Sequence, residues 1–316
     1  MLRSIGTGSV DGDAVVRVAA PAKVNLYLHV VGRRDDGYHL LDSLVAFAGI
    51  GDTIEVRRKQ VFSLRIEGPF ASSVPTGDDN LVLRAARALA DATDVDLGAA
   101  IRLVKRLPPA SGIGGGSADA AATLRALMRL WDTRTEERTL SALALRLGAD
   151  VPVCLAGRAA FVGGIGDELA PAPPLPAASI VLANPRVPVP TPEVFRRRAG
   201  PYSQVARFSE TPRDAAELAR LLKARGNDLE RPARAICPAI GDVLEALARQ
   251  PGALIARMSG SGATCFALFG LPGAATEAAF ALGRAHPGWW VKAGSLEGDA
   301  TRLENRTAPG LPGAVH

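Results

Sequence analysis

The residues best suited to chemistry form a glycine-rich loop: four of the five positions from 112 to 116 are glycine. Glycine lets the backbone adopt positive φ and approach a ligand closely, which a side chain would prevent. Residues 118–131 are rich in Ala, Leu, Met and Arg and predict a helix with Ser117 as its N-cap. Because a helix N-terminus carries partial positive charge and binds anions, the loop predicts a phosphate site.

Other interpretations of this loop fit less well. A tight strand-to-helix turn needs fewer glycines than are present here. A Walker A loop places a lysine before its Ser or Thr, but Ser117 follows Gly116 directly. A dinucleotide fingerprint starting at Gly112 requires an acidic residue at the end of a second strand, whereas Asp132 follows the predicted helix.

Composition sets the broad class of the protein. The chain has 316 residues, 47% hydrophobic and 22% charged, enough for two domains with apolar cores. It has no run of about 18 apolar residues, and residues 1–13 lack the apolar segment of a signal peptide, so we expect a cytoplasmic protein without a membrane partner. Cys154, Cys237 and Cys265 lack metal-ligand spacing and predict buried thiols.

The net charge of +5 raises the question of a nucleic-acid partner. The basic residues are scattered, however, and only residues 57–59 and 196–198 form short basic runs. An aromatic content of 5% provides no visible stacking platform for bases, so we expect no nucleic-acid partner. A basic protein also suits a small polyphosphate substrate.

A strand precedes the loop region and could supply polar side chains to it. Residues 21–30 alternate, which places Lys23, Asn25, Tyr27 and His29 on one face. This face is either a solvated edge or the wall of a site. After a predicted turn at residues 51–52, residues 53–58 and 62–67 predict further strands.

The glycine loop itself lies between a strand predicted over residues 100–106 and the helix predicted over residues 118–131. A capping box, Thr133 to Glu136, predicts the start of a further helix that ends before Gly148. Asp150 follows that helix and, from its position alone, is a turn former or a cap. A second glycine loop, residues 259–263, lies between two predicted strands, and a hairpin bend explains it without a ligand.

Four motifs in order resemble those of the GHMP kinases: residues 21–26, 112–121, 147–152 and 259–263. Gly37-Tyr38-His39 and residues 189–192 further resemble the members that phosphorylate a cytidine diphosphate-linked alcohol in the non-mevalonate isoprenoid pathway. The resemblance covers about residues 17–295. In one departure, Ala110 and Ser111 stand where related loops often have two glycines.

The resemblance implies an α+β fold of two domains. Residues 14–170 would form an ATP-binding domain like domain 2 of ribosomal protein S5, and residues 171–300 a ferredoxin-like, substrate-binding domain. Residues 1–13 and 304–316 are expected to be flexible tails, and the oligomeric state stays open.

The resemblance also implies roles for individual residues. Asp150 would be the catalytic base with Lys23 beside it, and ATP and Mg²⁺ would be the cofactors, with Ser117 the candidate metal ligand. Asn25, Tyr38 and His39 would face the substrate, and Phe195 would stack on its cytosine. The residues expected to bind ATP are Pro108, Pro109, Ala110, Ser111, Gly112, Ile113, Gly114, Gly115, Gly116, Ser117 and Ala118.

Two alternatives are retained. The first is another GHMP kinase that acts on a different alcohol, such as homoserine or mevalonate. The motif Gly37-Tyr38-His39 argues against it. A non-catalytic nucleic-acid-binding module is the other alternative, since the same type of N-terminal fold occurs in ribosomal proteins. It predicts strongly salt-dependent binding to RNA and no turnover of ATP.

Overall fold

The computed structural model describes residues 14–306, which form a mixed sheet flanked by helices. The strands of the described chain are β1 (Val16–Arg33), β2 (His39–Lys59), β3 (Ser63–Glu67), β4 (Gly98–Val104), β5 (Ala160–Gly163), β6 (Glu168–Pro171), β7 (Ala178–Asn184), β8 (Ala253–Met258), β9 (Cys265–Phe269) and β10 (Trp290–Glu297). The helices are α1 (Leu81–Thr93), α2 (Gly115–Trp131), α3 (Glu137–Leu147), α4 (Val151–Ala156), α5 (Thr191–Arg197), α6 (Ala215–Lys223), α7 (Glu230–Ile236), α8 (Ala239–Ala248), α9 (Pro272–Ala285) and α10 (Thr301–Arg306).

The sheet is continuous through both halves of the chain. Its main strand order is β3-β4-β2-β10-β7-β9-β8, and β1 and β5 also pair with β2. Strand β10 pairs with β2 through Leu296 and Glu297 and with β7 along its length. The two halves therefore share backbone hydrogen bonds, and the boundary at residue 170 stays a prediction.

The long hairpin of β1 and β2 supplies one wall of the site. The turn predicted at Gly51 and Asp52 is wrong, because β2 runs through both residues. A Cβ on Gly51 would lie 2.4 Å from the carbonyl oxygen of Ala20, so this glycine permits close strand packing. The pairing register shifts between Asn25 and Tyr27, which interrupts the single polar face predicted for β1.

The loop before α2 differs from the expectation in one respect. Helix α2 begins at Gly115 with Gly114 as its N-cap, so the prediction of Ser117 as N-cap is wrong. Gly114 has a φ of +61°, a left-handed conformation that a glycine adopts without strain. The helix consequently starts inside the glycine cluster, and its first turn is built from Gly115, Gly116 and Ser117.

Helix α10 overlaps the first residues of the predicted C-terminal tail. The tail was expected from residue 304, but α10 extends through Arg306. Its start is fixed by the Asp299 carboxylate, which accepts from the Thr301 amide at 3.1 Å, and Leu303 packs against the core next to the buried Ala300. Residues 1–13 and 307–316 of the predicted tails lie outside the described residues.

Candidate active site

A cleft of about 470 Å³ lies where β1, the glycine loop, the start of α4 and the second glycine loop meet. It brings together the predicted residues Lys23, Asn25, Asp150 and Phe195. Of the predicted ATP-binding residues, those that line it are Ala110, Ser111, Gly112, Gly114, Gly115, Gly116 and Ser117. Pro109 instead borders a neighbouring pocket, while Pro108, Ile113 and Ala118 are buried.

Lys23 and Asp150 form an ion pair in this cleft. The Lys23 Nζ lies 2.9 Å from Oδ1 of Asp150, and the lysine side chain is 6% exposed against 44% for the aspartate. Asp150 occupies the N-cap position of α4, yet its carboxylate forms no capping hydrogen bond with the described backbone. The side chain that a cap would use is therefore directed to the lysine.

Asn25 holds Lys23 from the other side. The Lys23 Nζ donates to Oδ1 of Asn25 at 3.1 Å, and Nδ2 of Asn25 donates to the Ser43 hydroxyl at 2.8 Å. The Ser43 hydroxyl in turn donates to the Tyr27 carbonyl oxygen at 2.5 Å. This chain of bonds fixes the orientation of the Asn25 amide, so that its oxygen faces the ammonium group.

The two glycine loops are interlocked. A Cβ on Gly112 would lie 2.7 Å from the carbonyl oxygens of Ser259 and Gly262, and one on Gly260 would lie 2.7 Å from that of Gly112. The Ser259 hydroxyl donates to the Gly112 carbonyl oxygen at 3.1 Å and accepts from the backbone N–H of Asn25 at 3.1 Å. The hairpin interpretation of the second loop is therefore incomplete, because that loop also supports the first one.

Ala110 and Ser111 preserve the loop without the usual glycines. Ala110 has a φ of +47°, so it adopts the left-handed conformation that glycine favours. The Ser111 hydroxyl donates to the Pro108 carbonyl oxygen at 2.6 Å, and the Ser111 carbonyl accepts from the Thr264 amide at 3.1 Å. These bonds provide local support for the turn.

A buried charged cluster lies beneath the loop, and no sequence pattern predicts it. The Lys105 Nζ lies 2.6 Å from Oδ2 of Asp52 and 2.7 Å from Oδ2 of Asp119, and all three side chains are at most 4% exposed. The other Asp52 oxygen accepts from the amides of Arg106 and Leu107 at 2.5 and 2.8 Å. The cluster thus ties the end of β4 to the first turns of α2. The sequence has only five lysines, and this scarcity is the one signal that singles out Lys105.

Asp119 has an unsatisfied oxygen at the edge of a second pocket. Burial raises the pKa of Asp119 to about 8, an effect that Lys105 opposes. Its Oδ1 has no hydrogen-bond partner among residues 14–306. The pocket beside it has a volume of about 250 Å³ and shares Leu81, Ala110 and Gly116 with the cleft. The two cavities are therefore adjacent across the glycine loop.

Phe195, which lines the cleft, packs against His39, which is not among the described residues that line it. Their ring centroids are 5.2 Å apart with an angle of 31° between the planes. Burial lowers the pKa of His39, and the positive charges of Arg33 and Arg198 lower it further. Tyr38 is 62% exposed and is not one of the described residues that line the cleft.

The donors for a metal are few. Within the described chain, no group of three His, Cys, Asp or Glu residues could hold a metal ion. Ser117 offers one hydroxyl on the cleft wall. Mg²⁺ commonly takes one or two protein ligands and completes its octahedron with phosphate oxygens and water. This donor set therefore fits a magnesium ion carried by nucleotide phosphates.

The amino-acid sequence matches known kinases over both halves of the chain. Residues 80–158 match the model of the GHMP kinases N terminal domain, and residues 205–288 match that of the GHMP kinases C terminal domain. The chain is 57% identical over 279 residues to 4-diphosphocytidyl-2-C-methyl-D-erythritol kinase of Paramagnetospirillum magneticum, covering 88% of this chain and 98% of that protein. This chain belongs to the GHMP kinase family.

A second relative and a crystal structure support the assignment of this chain to the GHMP kinase family. The protein of the same name from Rhodospirillum rubrum is 52% identical, with 92% of this chain and 95% of the relative covered. A crystal structure of 4-(cytidine 5'-diphospho)-2C-methyl-D-erythritol kinase superposes with a TM-score of 0.72 at 37% identity, covering 90% of this chain and 100% of the other. The expected family and the α+β fold are thereby confirmed.

None of the helices between residues 14 and 306 combines the length and the apolar character needed to span a bilayer.

Gly116 allows the role of the loop to be tested separately from its fold. A Cβ at Gly116 would have no atom of the described chain within 4 Å, whereas one at Gly114 would lie 3.2 Å from Cε of Lys23. Gly116→Ala should therefore keep the stability or raise it by up to about 1 kcal/mol, because Ala favours the helix. Its methyl group would project into the cleft, so the KM for ATP should rise roughly 10-fold. Thermal unfolding and steady-state kinetics measure the two effects.

An unchanged KM for ATP in the folded Gly116→Ala variant would contradict phosphate binding at this turn. Gly283→Ala is the matched control. Gly283 also lies within a helix, α9, and its Cβ would likewise meet no described atom within 4 Å. It does not line the cleft, so its substitution should change stability without changing the KM for ATP.

Proposed function

We propose that this GHMP kinase transfers the γ-phosphoryl group of ATP to the 2-hydroxyl of 4-diphosphocytidyl-2-C-methyl-D-erythritol in the non-mevalonate isoprenoid pathway. The observation that carries the proposal is the Lys23–Asp150 pair, which lies in one cleft with the glycine loop. The substrate is inferred from two relatives named 4-diphosphocytidyl-2-C-methyl-D-erythritol kinase, to which the chain is 57% and 52% identical over most of their length.

The two residues of the pair have complementary tasks. The substrate hydroxyl gives its proton to the Asp150 carboxylate as its oxygen attacks the γ-phosphorus, and ADP leaves with the electrons of the broken P–O bond. Lys23 holds the Asp150 carboxylate in place through their ion pair and stabilises the negative charge that develops on the phosphoryl oxygens. Asn25 positions the lysine through its own hydrogen bond.

The donor nucleotide would occupy the glycine loop and the pocket beside it. The amides at the start of α2 would bind its phosphates, since a helix N-terminus favours anions. The second pocket is contiguous with this loop and would take the nucleoside. Ser117 would hold Mg²⁺, which neutralises phosphate charge when bound. We assign residues 14–170 to ATP binding and residues 171–300 to substrate binding. We place the reaction in the cytoplasm, where ATP is available.

Phe195 and His39 would bind the cytosine of the substrate. An aromatic ring and a neutral imidazole offer stacking and hydrogen bonds together, which suits a base. Asn25 and Tyr38 are proposed as further contacts, Tyr38 from its place next to His39 at the start of β2.

The proposed cytosine site leads to a prediction about Phe195. Phe195→Leu keeps an apolar side chain but removes the ring, so the KM for the cytidine-linked substrate should rise roughly 10-fold or more while that for ATP stays within about 2-fold. Initial-rate kinetics with each substrate varied would measure the two constants. Equal increases in both would instead assign Phe195 to the packing of α5, and Phe280→Leu, at a 67% exposed site on α9, is the control.

A coupled assay of ADP release tests the function itself. The cytidine-linked alcohol should support turnover, and homoserine and mevalonate should not. Turnover with either of the latter would favour the alternative of another GHMP kinase. Absence of ATP turnover together with salt-dependent RNA binding would favour the nucleic-acid-binding alternative.

A further inference from the structure

Two arginines flank the proposed cytosine site. Arg33 is the last residue of β1, and it lies directly opposite His39 in the antiparallel pairing of β1 with β2. Side chains of directly opposed residues lie close together on the same face of a sheet. Arg198 follows α5 and is three residues beyond Phe195, whose ring packs on His39. Both cations are thus placed around the same pair of rings.

The two arginines differ from Arg34 and Arg197 in having no acidic partner. Arg34 pairs with Asp36 at 2.7 Å, and Arg197 pairs with Glu193 at 2.7 Å. Within residues 14–306, neither Arg33 nor Arg198 forms an ion pair with a carboxylate. The site consequently has positive charge that the protein itself does not neutralise. Burial is the main cause of the lowered pKa of His39, and the charges of Arg33 and Arg198 lower it further, which places both cations near this ring.

Both guanidinium groups are also held in position. Nε of Arg33 donates to the Gly37 carbonyl oxygen at 3.1 Å. Nη1 of Arg198 donates to the Gly200 carbonyl oxygen at 2.8 Å, and its guanidinium carbon lies 4.8 Å from the centre of the Tyr202 ring. A restrained guanidinium loses less conformational entropy when it binds an anion than a freely rotating one does.

We propose that Arg33 and Arg198 bind the diphosphate of the acceptor substrate and thereby select a nucleoside diphosphate-linked alcohol over a free one. This inference rests on the proposed function, since the diphosphate is joined to the cytidine assigned to His39 and Phe195. Guanidinium groups match phosphate oxygens in geometry and charge. In the proposed function, Lys23 and the glycine loop bind the transferred phosphoryl group and the phosphates of ATP. The diphosphate of the substrate therefore requires other cationic side chains.

The test compares the binding of CDP and cytidine by calorimetry. A non-hydrolysable ATP analogue is kept at saturation, so that the probes cannot bind at the donor site. CDP should bind the wild-type chain at least roughly 10-fold more tightly than cytidine, and this advantage should shrink as salt is raised. Arg33→Gln and Arg198→Gln should each lower the advantage, and the double variant should abolish it. Arg197→Gln, in the same basic run, is the matched control and should keep it.

Kinetics and a conservative variant separate binding from a structural effect. The double variant should raise the KM for the cytidine-linked substrate roughly 10-fold or more, with kcat and the KM for ATP within about 2-fold. Arg198→Lys keeps the charge but not the planar fork, so its CDP advantage should be intermediate. Arg33→Gln does not alter the contacts of Arg198 with Gly200 and Tyr202, so it tests the proposal even where Arg198→Gln is unfolded.

Three outcomes would overturn the inference. The first is equal affinity of the wild-type chain for CDP and cytidine, and the second is an undiminished CDP advantage in the double variant. In both cases turnover of the cytidine-linked alcohol would leave the proposed function intact. The third is absence of binding by either probe together with no turnover, which would refute the cytidine assignment and this inference with it.

Discussion

Replacement of Asp150 by Asn should reduce kcat by roughly 100-fold or more, with ATP binding retained. Asn keeps the shape of the side chain but cannot accept the hydroxyl proton as a carboxylate does, and loss of a positioned acid-base group has an effect of about this size. The side chain is 44% exposed and forms no capping bond with the described backbone, so the substitution should leave the fold stable. Single-turnover kinetics and ATP-analogue binding measure the two quantities.

The partner lysine extends this experiment. Lys23→Ala should lower kcat to a similar extent, and the double variant should lose much less than the product of the two single losses, because both residues serve the same proton transfer and the same developing charge. Asp96→Asn is the control, since Asp96 is exposed between α1 and β4. Near-normal turnover in folded Asp150→Asn would return Asp150 to a turn-forming role. A double variant whose loss of kcat equals the product of the two single losses would show that Lys23 and Asp150 act independently.

Replacement of Lys105 by Met should destabilise the protein by about 3–5 kcal/mol. The substitution removes the one side-chain cation within 3 Å of Asp52 and Asp119 in the described structure and leaves two buried carboxyl groups without it. Met has a similar length and fills the same space, so the loss should arise from charge and hydrogen bonding rather than from a cavity. Urea unfolding of the two proteins under identical conditions measures the difference.

Two variants control this prediction. Lys59→Met alters an exposed lysine at the end of β2 and should change the free energy of unfolding by less than about 0.5 kcal/mol. Adding Asp119→Asn to Lys105→Met removes one of the two carboxyl groups whose burial is unfavourable without the lysine, so part of the lost stability should return. A Lys105→Met protein as stable as the Lys59→Met protein would show that the buried cluster does not hold the loop and α2 together.

Local patterns carried most of what the sequence could predict. The glycine loop, α2 and the alternation of β1 follow from nearest-neighbour preferences, so they were predictable from short windows. The N-cap of α2 was misplaced because Ser117 is a good capping residue by type, whereas the left-handed φ of Gly114 decides where the helix starts. Gly51 and Asp52 are turn formers by residue type, whereas the close contact of Gly51 with Ala20, which explains the glycine inside β2, lies across the hairpin.

The charged cluster beneath the loop depends on distant contacts. Lys105 meets Asp52 across 53 positions of sequence, and no periodic pattern joins the two. Asp119 falls inside a helical segment, where a carboxylate is ordinarily solvated. The role of Asp150 likewise could not be read from its surroundings in the sequence, which favoured a turn, and it came from the family resemblance. The structure supports the role proposed for Asp150, since its carboxylate forms an ion pair with Lys23.

The interlocked glycine loops bear on how the protein becomes active during synthesis. Gly112 and the Ser259 hydroxyl that supports its carbonyl are separated by 147 positions, and Ser111 is bonded to Thr264. A nascent chain that ends before these later residues has the first loop without its support. Catalytic competence should therefore arise late in translation, and a fragment of the N-terminal half expressed alone should bind ATP poorly even where its own strands and helices have formed.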